Sequence, residues 1–188
     1  MAYKYPVDTA DLELVNELTT GESTLPRRYC IYSNLGLTNG YVRLTYFTAR
    51  KTETVTQVRT ICAAVAAVGS TLSKVGVYSV ATNGDLTLVA STANLSATLW
   101  IATNTAYTSA FAASFTKTRG TRYAVAELAV GTSTAPQLWG LGNVLIASEV
   151  GVAPRLTGHI VSQTDLPSTI SAASVQDSAH NIYAALLP

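Results

Sequence analysis

A chain of 188 residues is long enough for one domain with a sizeable core and short for two. Its net charge of +1, from 12 basic and 11 acidic side chains, provides no field of one sign, so neither nucleic acid nor an anionic membrane is an expected partner. Charged residues make up 12% of the chain, well below the usual ~25%. This composition favours a surface partly buried against other subunits, and a neutral Thr/Ser surface on a monomer is the alternative.

The first 25 residues are predicted to form an N-terminal arm with a short helix. Asp8 or Thr9 is placed to cap this helix, and Leu12, Val15 and Leu18 then lie on one of its faces. We expect these three side chains to dock on a neighbouring subunit. A solvated helix that leans on its own domain is the alternative.

No targeting or membrane-spanning segment is expected. The N-terminal segment MAYKYPVDTADLEL lacks the apolar stretch of a secretory signal peptide. The longest apolar run, ICAAVAAV at 61–68, is far shorter than the ~18 residues that a membrane helix needs. Cys30 and Cys62 are therefore expected to be thiols made in a reducing compartment, with a disulfide between them as the alternative.

Residues 26–188 are predicted to form an antiparallel β-sandwich of jelly-roll type, which makes the chain an all-β protein. Residues 41–49 and 54–62 alternate in character and predict two strands. In the second of these, Val55, Gln57, Arg59 and Ile61 are expected on one face, with Thr56, Val58 and Thr60 opposite. The alanine-rich stretch that follows, residues 63–70, is predicted to be a strand end and a loop.

A β-hairpin is predicted around Asn83-Gly84, the dipeptide most typical of hairpin turns. A two-residue loop would place Ser79 opposite Leu88. A five-residue loop, 81–85, would instead pair Tyr78 with Leu88 and Val80 with Leu86. Because strand register follows the buried face, the second register is favoured, since it gathers the four large apolar side chains on one face.

Further strands are predicted in the second half of the chain. Residues 107–115 and 122–130 are expected to pair with each other through the turn at 116–121, and residues 155–161 form another strand. Residues 181–187, NIYAALL, form an apolar closing strand. Its side chains Tyr183, Leu186 and Leu187 are expected to contact a neighbouring subunit, as the N-terminal arm does.

No pattern in the chain predicts catalysis, a metal or a cofactor. His159 and His180 lie far apart in sequence without metal-ligand spacing, and a structural role is favoured for His159. There is no GxSxG nucleophile elbow. The carboxylates beyond the N-terminal arm are scattered, being Glu53, Asp85, Glu127, Glu149, Asp165 and Asp177. We therefore expect no enzyme, although a glycan hydrolase on a β-sandwich is kept as the least favoured alternative.

Four segments carry a family resemblance. They read LTYFTARKTETVTQVRT (44–60), VGVYSVATNGDLTLVASTAN (75–94), TAYTSAFAASFTKTRGTRYAVAELAV (105–130) and RLTGHIVSQTDLPSTISA (155–172). Together with the closing YAALLP, they resemble minor tail or tail-fibre-type virion proteins of tailed phages that infect actinobacteria. The resemblance extends from about position 41 to the end, about three-quarters of the chain.

The resemblance implies a virion structural protein, made in the host cytoplasm, whose jelly-roll module forms a homotrimer and contacts other virion proteins. It implies a minor tail or tail-tip component that binds a host cell-surface glycan. The long shaft that precedes this module in such fibres is not found here, which leaves a capsid decoration protein as the alternative. The matching segments contain no catalytic residues, so none is carried over.

Overall fold

The structure, a computed structural model, describes residues 21–142 and 154–188. The predicted N-terminal helix with Leu12, Val15 and Leu18 lies outside these residues. The strands are β1 (Glu22–Ser23), β2 (Ile31–Gly36), β3 (Val42–Thr48), β4 (Glu53–Cys62), β5 (Leu72–Val80), β6 (Leu86–Ser91), β7 (Thr105–Lys117), β8 (Arg122–Val130), β9 (Gln137–Leu141), β10 (Thr157–Ile160), β11 (Thr169–Ile170), β12 (Asn181–Ile182) and β13 (Ala184–Leu187). The described helical segments are two 3-10 turns, Arg27–Tyr29 and Ala172–Ser174, and neither has the length or apolarity to cross a membrane.

The strands form two antiparallel sheets, which confirms the predicted β-sandwich. Sheet A has seven strands, in which β4 pairs with β7 on one side and with β13 and β9 on the other. In the same sheet β1 pairs with β13, and β2 and β12 both pair with β9. Sheet B has six strands in the order β10-β3-β8-β5-β6-β11.

The main core lies between the two sheets. Sheet A contributes Val58 and Leu186 to it, and sheet B contributes Val77 and Val125. Trp100 is fully buried here, and its indole N–H donates a 2.9 Å hydrogen bond to Thr60 Oγ1. A buried indole needs such a partner, because an unpaired N–H in a core is costly.

A second core covers the other face of sheet B. Val42, Leu44 and Tyr46 of β3 point to this side, where Ile160, Leu166, Ile170 and Val175 pack over the sheet. Every residue of β8 from Tyr123 to Ala129 is buried in consequence. Strands covered on both faces are apolar throughout rather than alternating, which explains the sequence YAVAELA.

The hairpin register predicted from the buried face is confirmed. Tyr78 pairs with Leu88 and Val80 with Leu86, and all four side chains belong to the second core. The five-residue loop between the strands is closed by a 2.8 Å hydrogen bond from the Ala81 N–H to the Asp85 carbonyl.

The predicted pairing of residues 107–115 with 122–130 is wrong. β7 pairs with β4 in sheet A, whereas β8 lies between β3 and β5 in sheet B. The turn between them therefore passes from one sheet to the other. The physical reason is that β8 is apolar on both faces and needs a central position, whereas β7 carries exposed Ala, Ser and Thr and suits an edge.

The predicted alternation along β4 is also wrong. Val55 and Val58 both lie in the main core, although strict alternation would put them on opposite faces. The register explains this, since Val55 pairs with Phe115 while Gln57 pairs with Ala110. The β4–β7 ladder is thus interrupted by a bulge, and a bulge resets which face the following residues occupy.

A buried ion cluster ties β1 to β4 and β7. The Lys117 side chain is fully buried, and its Nζ lies 2.6 Å from Glu22 Oε2 and 2.8 Å from Glu53 Oε1. Lys51 Nζ lies 2.6 Å from the other oxygen of Glu53, and Glu22 Oε1 accepts the backbone N–H of Arg50 at 2.8 Å. Each buried charge therefore has an opposite charge in contact, as burial of ions demands.

Replacing Lys117→Ala is expected to lower the free energy of unfolding by about 3–5 kcal/mol, because Glu22 loses its partner inside the protein. Urea denaturation measures the change. The control is Lys74→Ala, which breaks the 2.8 Å pair with the half-exposed Asp165 and is expected to cost about 1 kcal/mol or less. Equal losses in the two variants would contradict the stabilising role of the cluster.

Candidate functional site

β7 is the candidate site, because it is a long edge strand without charges. It has 13 residues and, among the described strands, pairs in a ladder with β4 alone. Between Thr105 and Thr116 it contains no charged residue and no proline, and Lys117 at its end is buried. Natural edge strands are usually shortened, charged or interrupted to prevent pairing with other chains. β7 has the bulge, but its exposed side chains carry no charge.

Aromatic side chains hold β7 firmly from the inside. Phe111 forms an isolated bridge with Thr92 at the end of β6, and its ring lies 6.0 Å from that of Phe115. Phe115 in turn lies 6.0 Å from the ring of Tyr123 in sheet B. The outward side chains are small and neutral, being Ala106, Thr108, Ala110, Ala112, Ala113, Ser114 and Thr116. The strand is thus fixed in place while presenting a smooth surface.

An apolar groove runs beside β7. It encloses about 500 Å³ between residues 107–112 and the segment that carries Leu95 and Leu99. The Tyr107 hydroxyl accepts the Ala102 N–H at 2.7 Å and closes one end of this region. The groove places contact area for an apolar side chain next to the backbone of the edge strand.

An exposed apolar patch adjoins the first residue of β7. Val68 and Ile101 are 54% and 52% exposed, and the Ala67 N–H donates to the Trp100 carbonyl at 2.8 Å, which brings their segments together. We call β7, the groove and this patch the assembly surface. Large contiguous apolar patches are typical of contact sites, which makes this surface a candidate for assembly.

The C-terminal residues predicted to contact a neighbour lie inside the chain instead. Leu186 is in the main core, and Tyr183 and Leu187 pack in a third cluster on the outer face of sheet A. Their exposed fractions are 0%, 5% and 9%. β13 lies between β1 and β4, so its side chains are already covered by the same chain.

A row of polar side chains crosses sheet B on the side of the main core. His159 pairs with Arg43, and Arg43 pairs with Glu127. Glu127 is fully buried, and within the described part of the chain neither of its carboxylate oxygens has a hydrogen-bond partner. Arg43 donates to Thr38 Oγ1 at 3.1 Å and to Ser178 Oγ at 3.4 Å.

Burial raises the pKa of Glu127 to about 8, against an opposing effect of the Arg43 charge. At neutral pH the carboxyl is therefore largely protonated. It is enclosed between the sheets, where a catalytic acid would have no access to substrate.

The two histidines meet at this end of the sandwich, which their sequence spacing did not predict. The His159 ring stacks on Tyr41 with centroids 5.3 Å apart. Burial, helped by the nearby charges of Arg43 and His159, lowers the pKa of His180 to about 4. Both rings are neutral at pH 7, since burial also lowers the pKa of His159. We interpret them as packing groups.

The other chemistry-bearing residues are placed for structural roles. Within residues 21–142 and 154–188, no three His, Cys, Asp or Glu side chains are grouped to hold a metal ion. Cys30 and Cys62 form no disulfide, as expected from the sequence. Burial raises the pKa of the Cys62 thiol to about 11, which makes it a poor nucleophile.

The chain matches no model of a protein family, and no curated protein has a significantly similar sequence.

The sequence contained one unused signal for the site. β7 lies at the end of an uncharged stretch that runs over residues 86–116, and a long exposed strand without charges suggests an assembly edge. The prediction missed it because it paired this segment with residues 122–130, which would have hidden the edge.

The burial of Glu127 predicts a pH-dependent stability. Its folded-state pKa of about 8 lies above the ordinary value of 4.5. The folded chain therefore keeps a proton that the unfolded chain releases, and the free energy of unfolding falls as the pH rises through this interval. In the parent protein this titration lowers the free energy of unfolding by up to about 1.4 kcal/mol per pH unit. Glu127→Gln removes the titrating group, so the variant is expected to lack this decrease.

Urea denaturation of both proteins at several pH values between the two pKa values measures the difference. Asp165→Asn removes a carboxylate from the surface and serves as the control, with the slope of the parent protein expected. Parallel pH profiles for the parent protein and Glu127→Gln would show that Glu127 stays ionised in the folded chain.

Proposed function

We propose that this protein is a structural subunit of a phage virion, a minor tail or tail-tip component that assembles with itself and with other virion proteins. The observation that carries the proposal is the assembly surface, in which an edge strand of 13 residues without an exposed charge lies beside an apolar groove. The resemblance of residues 41–188 to tail proteins of actinobacterial phages supports the virion setting. Contact with a host cell-surface glycan belongs to the same proposal.

An edge such as β7 suits assembly for three physical reasons. Every second residue of an edge strand turns its N–H and C=O away from the sheet, where another strand can bond to them. Small side chains such as Ala110 and Ala112 allow close approach. Because the exposed positions are uncharged, identical copies meet without like-charge repulsion.

The expected homotrimer sets how this surface is used. A two-fold dimer would pair β7 with β7, whereas a three-fold ring needs two different patches in contact. In the trimer, β7 of one protomer therefore contacts a different surface of the next, and Val68 and Ile101, the most exposed large apolar residues described, are the candidates for it.

The described carboxylates support a non-enzymatic role. Glycoside hydrolysis needs two carboxyl groups that face a substrate cleft about 5–9.5 Å apart. Glu22 and Glu53 are instead joined by Lys117, and Glu127 is enclosed in the core. Asp177 is paired with Arg155 at 2.7 Å.

Placing a lysine at Ala110 or Ala112 is expected to abolish self-assembly while leaving the fold intact, because both side chains are exposed on β7. Light scattering coupled to size exclusion measures the mass of the parent protein and of each variant. We expect a trimer for the parent and a monomer for Ala110→Lys and Ala112→Lys.

The matched control is Thr169→Lys, which adds the same charge to β11, an exposed edge of sheet B. A parent monomer, or variants that still assemble, would contradict the role of β7. Copy number in the intact particle tests the location, since a few copies support a tail position and hundreds support capsid decoration instead.

A further inference from the structure

A second, separate cleft opens on the outer side of sheet B. It encloses about 330 Å³ between the hairpin loop at 81–84 and the segment that begins with Pro154 and Arg155. Its floor is formed by Tyr46 and Arg122, which belong to the neighbouring strands β3 and β8. The volume lies at the lower end of the range for ligand pockets, about 300–1,000 Å³.

Among the described residues, the charged groups that line the cleft are positive. They are Arg122 and Arg155, and no carboxylate of residues 21–142 or 154–188 is part of its lining. Two carboxylates contact lining residues from outside the cleft, since Asp177 pairs with Arg155 and Asp85 accepts the Ala172 N–H and the Asn83 side-chain amide. Arg155 is thus already paired, and Arg122 is the lining cation without a carboxylate partner among the described residues.

Arg122 is the cation best placed to bind a ligand. Its guanidinium carbon lies over the Tyr46 ring, 4.8 Å from the centroid, and one of its terminal nitrogens donates to the Arg155 carbonyl. Within the described chain it has no ion pair, although it is partly buried. A partly desolvated cation without a counter-ion is costly, and a bound anion would remove that cost.

Two further polar groups face the same space. Tyr46 lines the cleft and is 8% exposed, and its ring lies beneath the Arg122 guanidinium. On the opposite wall Thr82 is exposed, and no hydrogen bond of its hydroxyl is found in the described chain. Charge-assisted donors on one side thus face a neutral hydroxyl on the other.

We propose that this cleft binds the anionic group, carboxylate or phosphate, of an acidic polysaccharide, held by Arg122 and Tyr46 with Thr82 contacting a neighbouring hydroxyl. The cleft is larger than a bare oxyanion needs, and its other described lining residues are uncharged. A ligand with one anionic group on an otherwise uncharged sugar ring or polyol fits both properties. Planar guanidinium groups bind carboxylate and phosphate through paired hydrogen bonds. The use of this site at a host surface rests on the proposed virion function, whereas the binding itself does not.

The test uses three oligomers and the purified protein in isothermal titration calorimetry. Trigalacturonate presents carboxylates, a glycerol phosphate trimer presents phosphates, and galactotriose is the neutral probe. We expect one of the acidic oligomers to bind, and the one that does identifies the anion. Arg122→Gln is expected to weaken that binding about tenfold or more, and Thr82→Ala to weaken it less.

Arg119→Gln is the matched control, because it removes the same charge from an exposed position on the β7–β8 turn, three residues away. We expect it to bind like the parent protein. Should Arg122→Gln be unstable in thermal denaturation, Tyr46→Phe and the exposed Thr82→Ala test the same site without removing a charge.

Three results would overturn the proposal: no binding of either acidic oligomer, equal binding of galactotriose, or equal losses in Arg119→Gln and Arg122→Gln. These binding measurements do not require assembly, so their outcome is independent of the assembly tests on β7. If the protein binds an acidic oligomer but does not assemble, the proposed virion contacts are refuted and the anion site is not.

Discussion

The double-sided burial of sheet B is the constraint on which the rest of the structure depends. β3 and β8 are buried on both faces, so each face is covered by another layer. Sheet A covers one face, and the segment from Ile160 to Val175 covers the other. This arrangement uses much of the apolar content within a single chain. The low charge of the sequence is thus explained in part without partner subunits. The feature that favours assembly is therefore β7 and not the composition.

The sequence predicted the fold class and one register, because both follow from local rules. Alternation reveals strands, and the requirement that Tyr78 and Leu88 share a buried face selected the correct hairpin. The partner of a strand is not encoded locally, which is why the predicted pairing of residues 107–115 with 122–130 is wrong. The bulge that brings Val55 and Val58 to one face depends on β7 as well, so the pattern within β4 could not reveal it.

The candidate sites were less predictable than the fold, since each is made of distant segments. The cleft joins Tyr46, the loop after Val80, and Arg122 with Arg155, and none of these has a motif of its own. The expected contact of residues 181–187 with a neighbouring subunit fails for a related reason. Hydrophobicity shows that Leu186 is buried but not by which chain, and in the structure it is covered by the main core of its own chain.

The position of β13 has a consequence for how the chain reaches this structure. Residues 184–187 form a strand between β1, made of residues 22–23, and β4, made of residues 53–62. Sheet A therefore cannot be completed during synthesis until residues 184–187 have emerged from the ribosome. Pairings this distant in sequence slow folding, because the loop must be closed before the contacts form. Until that moment the side of β4 that pairs with β13 stays open and the main core lacks Leu186, which exposes the nascent chain to aggregation.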